Sequence, residues 1–286
     1  MSSPRIVSRL FGGTGNQLFQ YAAGRALADH LGCALELDSR YVAGSADRGD
    51  CFAHFSRARM TRATRLPPSK HDSAVLYALW RLWGQNPRFH REKTLAFDRR
   101  FFDLPPNTYL HGYWQSENYF AHMATQIRDD LVFTTPLDAA NADMATRIKT
   151  ADNPVSFHVR RGDYMASGAY AAIPPGYYRA AADHLAARCK GPLSCFVFSN
   201  DPDWARHNLD LGQDTVIVDH NDETQGHFDL HLQSLCAHNV IANSTFSWWA
   251  AWLNANPEKS VVAPRDWFAN PKLSNPDLYP TNWSAI

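Results

Sequence analysis

The sequence has few of the features that mark membrane, secreted or metal-binding proteins. No apolar run approaches the roughly 20 residues that a membrane-spanning helix needs, and no signal-peptide core precedes the first apolar segment. The cysteines are scattered and form no CxxC pair, so their spacing predicts neither a zinc site nor a disulfide framework. They are Cys33, Cys51, Cys189, Cys195 and Cys236. We therefore expect reduced thiols and a cytoplasmic location, which leaves room for contact with the inner membrane surface.

The chain also lacks an excess of charge of either sign. Lys and Arg number 28 and Asp and Glu number 28, which gives a formal net charge of zero. A chain with this balance has no global field that would attract nucleic acid, so we expect no nucleic-acid partner. With 286 residues, 45% of them hydrophobic, the chain is long enough for one large α/β domain or two domains of about 140 residues.

The sequence contains neither the dinucleotide-binding motif GxGxxG nor the Walker motif GxxxxGK(S/T). The stretch Gly12-Gly-Thr-Gly-Asn-Gln17 follows an apolar strand pattern and opens a helical one, but Leu18 stands where GxGxxG requires glycine. Glycines allow a ligand to approach backbone N–H groups at a helix start, where an anion is favoured. Gly15 and Asn16 are therefore candidate ligand contacts. The alternative is an ordinary glycine turn in which Asn16 caps the helix.

Hydrophobic periodicity predicts two α/β halves. The first begins with strands at 6–11 and 34–38 around a helix, and has further helical stretches at 74–83, 117–132 and 138–150. Ala151-Asp-Asn-Pro154 marks the expected boundary. The second half alternates short apolar strands with helices, which predicts a parallel sheet whose ligands lie at the carboxyl ends of the strands. Its strands are expected at 155–159, 195–198, 215–218, 240–242 and 261–263, and its helices at 175–189, 202–209, 227–238 and 244–254.

The strand at 155–159 runs into His158-Val-Arg-Arg-Gly-Asp163. Because side chains alternate along a strand, His158 and Arg160 share one face. A guanidinium stays charged and can grip phosphate with two hydrogen bonds, so Arg160 is a candidate anion ligand. Arg161 points to the other face and, near Asp163, is expected to be structural. The alternative is a structural Arg–Asp ion pair with a buried histidine.

Two further segments open helices with polar residues. Asn243-Ser-Thr-Phe-Ser247 follows the strand at 240–242 and offers hydroxyls together with first-turn N–H groups, which makes it a second candidate anion site. Simple helix capping is the alternative. Asp229 opens another helix and could accept two hydrogen bonds from the N1–H and amino edge of guanine. It could equally be a first-turn acid that interacts with the helix dipole.

Three segments in this order resemble glycosyltransferase family 11, which includes the bacterial and animal α-1,2-fucosyltransferases. They are GGTGNQLFQYAAG at 12–24, HVRRGDY at 158–164 and FDLHLQSLCAHNVIANSTFSWWAAWL at 228–253. The segments HGYWQSENYF at 111–120 and FSNDPDW at 198–204 fit as well, so the resemblance covers most of the chain. Two positions depart from the usual pattern, since Thr14 stands where Leu is common and Thr245 where Ser is common.

The resemblance implies a GT-B-like α/β fold, with two Rossmann-type domains whose parallel sheets face a cleft. We expect an acceptor-side domain at 1–152 and a domain at 153–286 that binds the GDP-sugar. The resemblance assigns the β-phosphate to Arg160 and guanine to His158 and Asp229. The other expected donor contacts are Gly15, Asn16, Asn243, Ser244 and Thr245, with Ser247 as a further phosphate contact. It also implies transfer of L-fucose from GDP-fucose to a galactoside with inversion, with no cofactor and no metal ion.

The predicted catalytic residues are Arg160, which would stabilise the leaving diphosphate, and Asp163, a candidate base by proximity. Asp38 and Glu117 are weaker candidates for the base. Other hypotheses remain open: a transferase that uses another GDP-sugar such as GDP-L-galactose, or a non-catalytic module that binds glycans or nucleotides. The expected partners are a GDP-sugar and a glycan acceptor, either free or lipid-linked. With a lipid-linked acceptor, membrane contact would be peripheral.

Overall fold

A computed structural model describes residues 3–42, 51–55, 61–62, 73–83, 89–161, 170–270 and 273–286. The chain divides into two compact units. Unit 1 comprises Met1–Val132 with Asn275–Tyr279, and unit 2 comprises Phe133–Ser274 with Pro280–Ile286. Within the described residues, no helix combines the length and the apolar character that crossing a membrane requires.

Unit 1 is built on a parallel sheet in the order β3-β2-β1-β5-β4. Its strands are β1 (Arg5–Arg9), β2 (Ala34–Asp38), β3 (Thr61–Arg62), β4 (Phe89–Arg91) and β5 (Tyr109–His111). Its helices are α1 (Thr14–His30), α2 (Ala74–Trp83) and α3 (Ala124–Asp130). Short 3₁₀ turns lie at Cys51–His54, Arg99–Asp103, Glu117–Tyr119 and Ala121–Met123.

Helix α1 packs closely on the strand that precedes it. Gly24 faces the sheet, where an added Cβ would lie 3.0 Å from Ser8 and from Leu35. The buried Gln20 carbonyl accepts a hydrogen bond from the Ser8 hydroxyl at 2.8 Å. The small residues of this helix thus bring it against β1, which fixes where the glycine turn lies at the carboxyl end of that strand.

Unit 2 has a second parallel sheet, in the order β11-β10-β9-β6-β7-β8. Its strands are β6 (Pro154–Val159), β7 (Ser194–Ser199), β8 (Asp214–Val218), β9 (His238–Val240), β10 (Val261–Ala263) and β11 (Ser284–Ala285). Its helices are α4 (Ala139–Thr150), α5 (Pro175–Ala186), α6 (Pro202–Asn208), α7 (Gly226–Leu235) and α8 (Thr245–Leu253). A 3₁₀ turn at Glu223–Gln225 precedes α7.

Helix α4 belongs to unit 2 by its packing. Met144, Ala145 and Ile148 share one apolar cluster with Leu232 and Cys236. The predicted boundary at 152/153 places this helix in the first domain, whereas the compact units divide after Val132. The sequence punctuation at 151–154 marks the end of a helix, and only the tertiary contacts show which core that helix covers.

Most predicted elements occur near their expected bounds, and β2 and α2 match theirs. The predicted helix at 117–132 is interrupted, because only Ala124–Asp130 is α-helical. Ser116 caps the 3₁₀ turn before it by accepting from Asn118 N–H at 3.3 Å, and Phe120 leaves the helical region with φ −143°. This local side-chain cap competes with a continuous helix.

A buried amide network connects β6, β9, α7 and α8. The Asn239 side chain donates to Ser156 Oγ at 2.7 Å and to the Gln233 carbonyl at 2.9 Å. Its oxygen accepts from the Asn254 side chain at 2.8 Å. Amides suit this position because one side chain both donates and accepts. The network holds together the elements whose ends carry the candidate site.

We expect Asn239→Ala to destabilise the protein by at least about 3 kcal/mol, because it leaves several buried polar groups unsatisfied. Urea denaturation followed by circular dichroism measures this change. The matched control is Asn208→Ala at the exposed carboxyl end of α6, where the loss should stay within about 0.5 kcal/mol. Equal losses in the two variants would contradict the assigned role of the network.

Candidate functional site

The carboxyl end of β6 carries the first cluster of predicted site residues. Val159 is buried and the half-buried Arg160 follows it directly. Arg160 and Asn243 line the same pocket in unit 2, so the structure brings these two predicted residues together. The other lining residues are Val159, Arg161, Tyr170, Ala171, Ala172, Ile173, Tyr178 and Trp204.

Arg161 is held by residues that follow β7. Its backbone N–H donates to Asn200 Oδ1 at 2.9 Å, and its Nε lies 3.5 Å from Asp201 Oδ2. The guanidinium carbon lies 4.0 Å from the centre of the Trp204 ring, in cation–π contact. These contacts favour the structural role predicted for Arg161, with Asp201 as a carboxylate partner. Asp163, the expected partner and candidate base, lies outside the described residues, so its roles stay predictions.

His158 is a buried, neutral histidine beside Arg160. Burial, together with the smaller effect of the Arg160 charge, lowers the pKa of His158 to about 3. Its Nδ1 has no hydrogen-bond partner within the described residues. Its ring centre is 5.5 Å from that of Phe246, a residue that the sequence analysis did not select although it lies within the Asn243–Ser247 motif. The strand end therefore offers an uncharged imidazole beside an aromatic face.

Helix α8 begins one strand away from Arg160. It follows β9, which pairs in parallel with β6, so its N-terminus lies at the same edge of the sheet. Ser244 is the N-cap residue, yet its side chain makes no capping hydrogen bond, and the first helical bond runs from Trp248 N–H to the Ser244 carbonyl. The simple capping alternative does not describe Ser244. The first-turn N–H groups, including that of Thr245, receive no bond from its side chain and stay a candidate anion site.

Asn243 has a structural task as well as a place in the pocket. Its side-chain nitrogen donates to the Ala171 carbonyl at 2.8 Å and to the Trp267 carbonyl at 3.1 Å. Those two bonds use both N–H groups, which leaves only the side-chain oxygen for a ligand. Asn243 therefore fixes the 170–173 wall of the pocket against the loop at Trp267.

Asp229 is a desolvated carboxyl near the start of α7. Burial raises its pKa to about 7, although a hydrogen bond from Asn221 opposes that shift. Asn221 Nδ2 donates to Asp229 Oδ1 at 2.7 Å. Asn221 also exchanges two hydrogen bonds of 2.9 Å with Asn141, whose side chain is bound in turn by the α4 cap Asp138 at 3.0 Å.

This Asn221 network was missed by the sequence analysis, although the polar run Asp219-His-Asn-Asp222 after β8 is a visible signal. The Asn221 oxygen accepts from Asn141, so its side-chain nitrogen is the atom that faces Asp229, and that nitrogen can only donate. Asp229 Oδ1 is therefore engaged, and Oδ2 is the atom better placed for another donor. Asp229 thus has the geometry of an oriented acceptor as well as a first-turn position in its helix.

The glycine turn in unit 1 is held by backbone and amide hydrogen bonds. Gly12 has φ +79°, and an added Cβ would lie 2.7 Å from Asn16 Nδ2, so this position requires glycine. The N-cap of α1 is Gly13, and Asn16 Oδ1 accepts from the Gln115 side chain at 2.9 Å. The alternative in which Asn16 caps the helix is therefore wrong. Gly15 is buried in the first turn, and its contact with a ligand stays a prediction.

The buried Asp38 and the half-buried Glu92 lie at the carboxyl end of the unit 1 sheet. Asp38 accepts two hydrogen bonds from Arg40, at 2.9 and 2.8 Å, and one from Tyr109 at 2.8 Å. Burial alone would raise the pKa of Asp38, but these donors hold it below its usual range. Asp38 is thus poorly suited to act as a base. Glu92, which the sequence analysis did not select, accepts from the Tyr113 and Trp114 N–H groups, and burial raises its pKa.

The acidic pair Asp201-Pro-Asp203 has the DxD spacing of many metal-dependent transferases. In the structure, Asp201 caps α6 through Trp204 N–H at 3.1 Å and pairs with Arg161. Asp203 pairs with Arg206 at 2.9 Å. Among the described residues, no group of three or more His, Cys, Asp or Glu side chains could hold a metal ion. The contacts give both aspartates structural tasks, and metal independence stays a prediction.

Comparison with known sequences decides the family. The sequence profile of glycosyl transferase family 11 matches residues 91–286. The chain belongs to glycosyl transferase family 11. It is therefore a glycosyltransferase, as the motifs at 12–24, 158–164 and 228–253 predict.

Two bacterial relatives match the chain over most of its length, and an animal relative matches half of it. The Escherichia coli O-antigen biosynthesis glycosyltransferase WbnK is 32% identical, with 92% of this chain and 95% of the relative covered. An Escherichia coli α-1,2-colitosyltransferase is 27% identical and covers 98% of each chain. A galactoside α-(1,2)-fucosyltransferase 1 from Aotus azarae is 32% identical over 50% of this chain and 42% of its own.

Solved structures confirm the GT-B-like α/β fold expected for family 11. The fucosyltransferase NodZ from Bradyrhizobium superposes with a TM-score of 0.54 at 14% identity, covering 87% of this chain and 93% of its own. Arabidopsis thaliana FUT1 superposes with a TM-score of 0.53 at 12% identity, covering 92% and 70%. At these identities the likeness concerns the fold alone.

The raised pKa of Asp229 predicts a pH-dependent cost to stability. The folded state keeps this proton up to about pH 7, whereas the unfolded chain releases it near pH 4. The protonated Asp229 therefore contributes fully to the free energy of unfolding below about pH 4, and this contribution is lost as the pH rises towards 7. Because asparagine does not titrate, we expect the free energy of unfolding of Asp229→Asn, relative to that of the wild type, to rise by on the order of 2 kcal/mol from pH 5 to pH 8.

Urea denaturation at the two pH values measures this difference. Asn221→Ala removes the hydrogen bond that lowers the pKa of Asp229, so the midpoint of the pH dependence should move upward. Asp152→Asn, at an exposed position of the same unit, is the matched control and should keep the wild-type trend. A pH trend that survives in Asp229→Asn would contradict the assignment.

Proposed function

We propose that this chain transfers L-fucose from GDP-fucose to the 2-hydroxyl of a galactoside, with inversion and without a metal ion. The observation that carries the proposal is the pairing of two anion-binding features on adjacent strands. Arg160 directly follows β6, and the N-terminus of α8, which has no side-chain cap, follows the neighbouring β9. A diphosphate is the ligand that a fixed guanidinium and a helix N-terminus suit together. Related proteins named as α-1,2-fucosyl- and α-1,2-colitosyltransferases support the donor class and the linkage.

Guanine is the proposed occupant beside His158 and Asp229. A carboxylate has about four acceptor sites, so Asp229 can accept the N1–H and the amino group of guanine while Asn221 donates to its Oδ1 and orients it. His158 remains neutral at physiological pH because burial and Arg160 depress its pKa. The adjacent Phe246 ring offers an aromatic surface for a purine. The solved NodZ structures that carry GDP or GDP-fucose support a nucleotide of this kind.

The chemical problem is the departure of GDP from fucose C1. Negative charge develops on the β-phosphate as the bond breaks, and positive groups already in place lower the barrier. In this proposal Arg160 and the first-turn N–H groups of α8, at Ser244 and Thr245, supply that stabilisation. No cofactor takes part. The acceptor hydroxyl attacks the opposite face of C1, and a base takes its proton. Asp163 keeps the proposed role of base.

One relative supports a second donor. The Escherichia coli protein that matches over 98% of this chain is named a colitosyltransferase, and colitose lacks one hydroxyl of fucose. Apolar or water-filled space accepts a missing hydroxyl at small cost, whereas a side chain bonded to that hydroxyl rejects the deoxy sugar strongly. GDP-colitose is therefore the alternative donor, ahead of GDP-L-galactose. A module that binds nucleotide or glycan without turnover is the non-catalytic alternative.

The proposed acceptor is a galactoside, free or carried on a lipid. The relative WbnK, named as an O-antigen biosynthesis glycosyltransferase, supports a glycan acceptor, and the proposal includes a glycan that is carried on a lipid. Peripheral contact with the inner membrane surface would then bring enzyme and acceptor together, and it forms part of the proposal.

A donor and acceptor panel tests the function. The purified protein is incubated with GDP-fucose, GDP-colitose or GDP-L-galactose, with EDTA present, and GDP release is followed with and without galactosides. NMR of the product reports the sugar, the linkage and the anomeric configuration together. We expect GDP release from GDP-fucose that galactosides stimulate and EDTA leaves unchanged, with a β-linked donor giving an α-1,2 product. Binding of GDP-sugars without turnover on any acceptor would favour the non-catalytic module.

Arg160 is the residue whose replacement tests the mechanism. We expect Arg160→Ala to lower kcat by about 100-fold or more, as removal of a preorganised donor does in other enzymes. Arg160→Lys should not restore the rate, since an ammonium group lacks the two-pronged grip of a guanidinium. Steady-state kinetics with GDP-fucose measure both effects. Arg161→Lys is the matched comparison and should cost much less. Near-normal turnover in Arg160→Lys would show that Arg160 does not hold the diphosphate.

A further inference from the structure

Helix α2 in unit 1 exposes its apolar side chains to solvent. Ser73 begins the helix by accepting from Leu76 N–H at 3.2 Å. Val75 is 69% exposed, Leu76 57%, Leu79 38% and Leu82 75%. Single exposed apolar residues are ordinary on protein surfaces, but four on one short helix form a patch, and such patches mark interaction surfaces.

The four residues lie on one side of the helix. At about 100° per residue, Val75, Leu76, Leu79 and Leu82 fall within an arc of about 120°. Tyr77 lies outside this arc and is half-buried. A helix on the surface of a globular protein normally turns its apolar stripe inward and its polar side outward. In α2 the exposed side is the apolar one, so the sequence of this helix suits an apolar environment outside the protein.

The length of α2 limits what that environment can be. Ten residues span only about 15 Å, half of the hydrocarbon thickness of a bilayer. The helix can therefore lie on a membrane surface and cannot cross it. Helices that lie in the interface combine an apolar face with basic residues around it.

Basic residues surround α2 along the chain. Although the whole chain has a formal net charge of zero, residues 56–93 contain nine Lys and Arg against two Asp and Glu, a net charge of +7. In the sequence, Lys70 precedes the helix by four residues and Arg88 follows it by five. In the described residues, Arg91 and Lys93 are exposed. This charge matches a surface of negative sign.

We propose that the exposed face of α2, formed by Val75, Leu76, Leu79 and Leu82, docks on an anionic lipid surface. The apolar side chains enter the boundary between headgroups and acyl chains, and the surrounding cations are attracted to anionic headgroups. A second copy of this chain fits less well, because a twofold interface at α2 would bring two segments of charge +7 together.

The lipid contact itself stands on α2 and its charged surroundings alone. Its use, bringing the enzyme to a lipid-carried acceptor, rests on the proposed function. The two ideas therefore fail separately: lipid binding is measured without turnover, and turnover on a soluble galactoside is measured without lipid.

The test is sedimentation of the full-length protein with sucrose-loaded vesicles. One set contains phosphatidylcholine alone, and the other an equimolar mixture with phosphatidylglycerol. We expect clear binding to the anionic vesicles, weaker binding to the neutral ones, and loss of binding at high salt, since salt screens the attraction. The double variant Leu76→Gln with Leu82→Gln should lower the partition coefficient at least about tenfold, because it removes two apolar side chains while keeping good helix formers.

Val132→Gln with Leu273→Gln is the matched control. These two residues are 51% and 40% exposed but lie outside α2, so the double variant should bind vesicles like the wild type. Circular dichroism and turnover on a soluble galactoside check that both variants stay folded. Three results would overturn the proposal: no binding to anionic vesicles, equal binding to both vesicle types, or equal loss in the two variants. Light scattering that shows a dimer dispersed by the α2 variant, without lipid binding, would assign the face to a second copy.

Discussion

A guanidinium that is always charged ends an interior strand of the unit 2 sheet, and the arrangement around it follows from that constraint. Arg160 cannot lose its charge, and the strand that delivers it is buried. The proposed anion contacts share one sheet edge, since the α8 N-terminus follows the neighbouring strand β9. Burial keeps His158 neutral and the Arg160 charge adds to this effect, since both depress the pKa of that imidazole. The guanidinium of Arg161, one residue later, instead contacts Asp201 and Trp204.

Asparagine side chains hold this edge in place. Asn243 ties the pocket wall at Ala171 to the loop at Trp267, and Asn239 connects β6 and β9 to α7. Asn221 holds the Asp229 carboxyl by donating a hydrogen bond to it. An amide can donate and accept without carrying charge, so it satisfies buried groups without adding to the positive potential. The hydrogen bonds between these amides and their carbonyl or hydroxyl partners therefore do not depend on the protonation state of a side chain. In unit 1, by contrast, a buried charge is stabilised by charged and polar donors: Asp38 accepts hydrogen bonds from Arg40 and Tyr109.

The order of motifs along the chain predicted the family, and periodicity predicted most of the elements, including the β2 and α2 bounds. These features are local: a strand, a turn and a helix start are written in consecutive residues. Helix α4 shows where local information ends, because its apolar stripe fits either half of the chain and only contact with Leu232 and Cys236 assigns it to unit 2. Helix α2 was predicted as a helix, but its apolar stripe could not be known to face solvent, since periodicity gives a face without saying what covers it.

The sequence by itself determined the chemistry that is available. It placed Arg160 beside His158 at a strand end, a glycine turn before α1 and an unusual serine–threonine start on α8. Only the tertiary structure decided which of these groups have other tasks. Asn243 gives both of its N–H groups to carbonyls, and Asp201 is a carboxylate partner of Arg161. Asn221, eight residues before Asp229, donates to that carboxyl and orients it. The physical reason is that hydrogen bonding and desolvation depend on neighbours from distant parts of the chain, which no local pattern records.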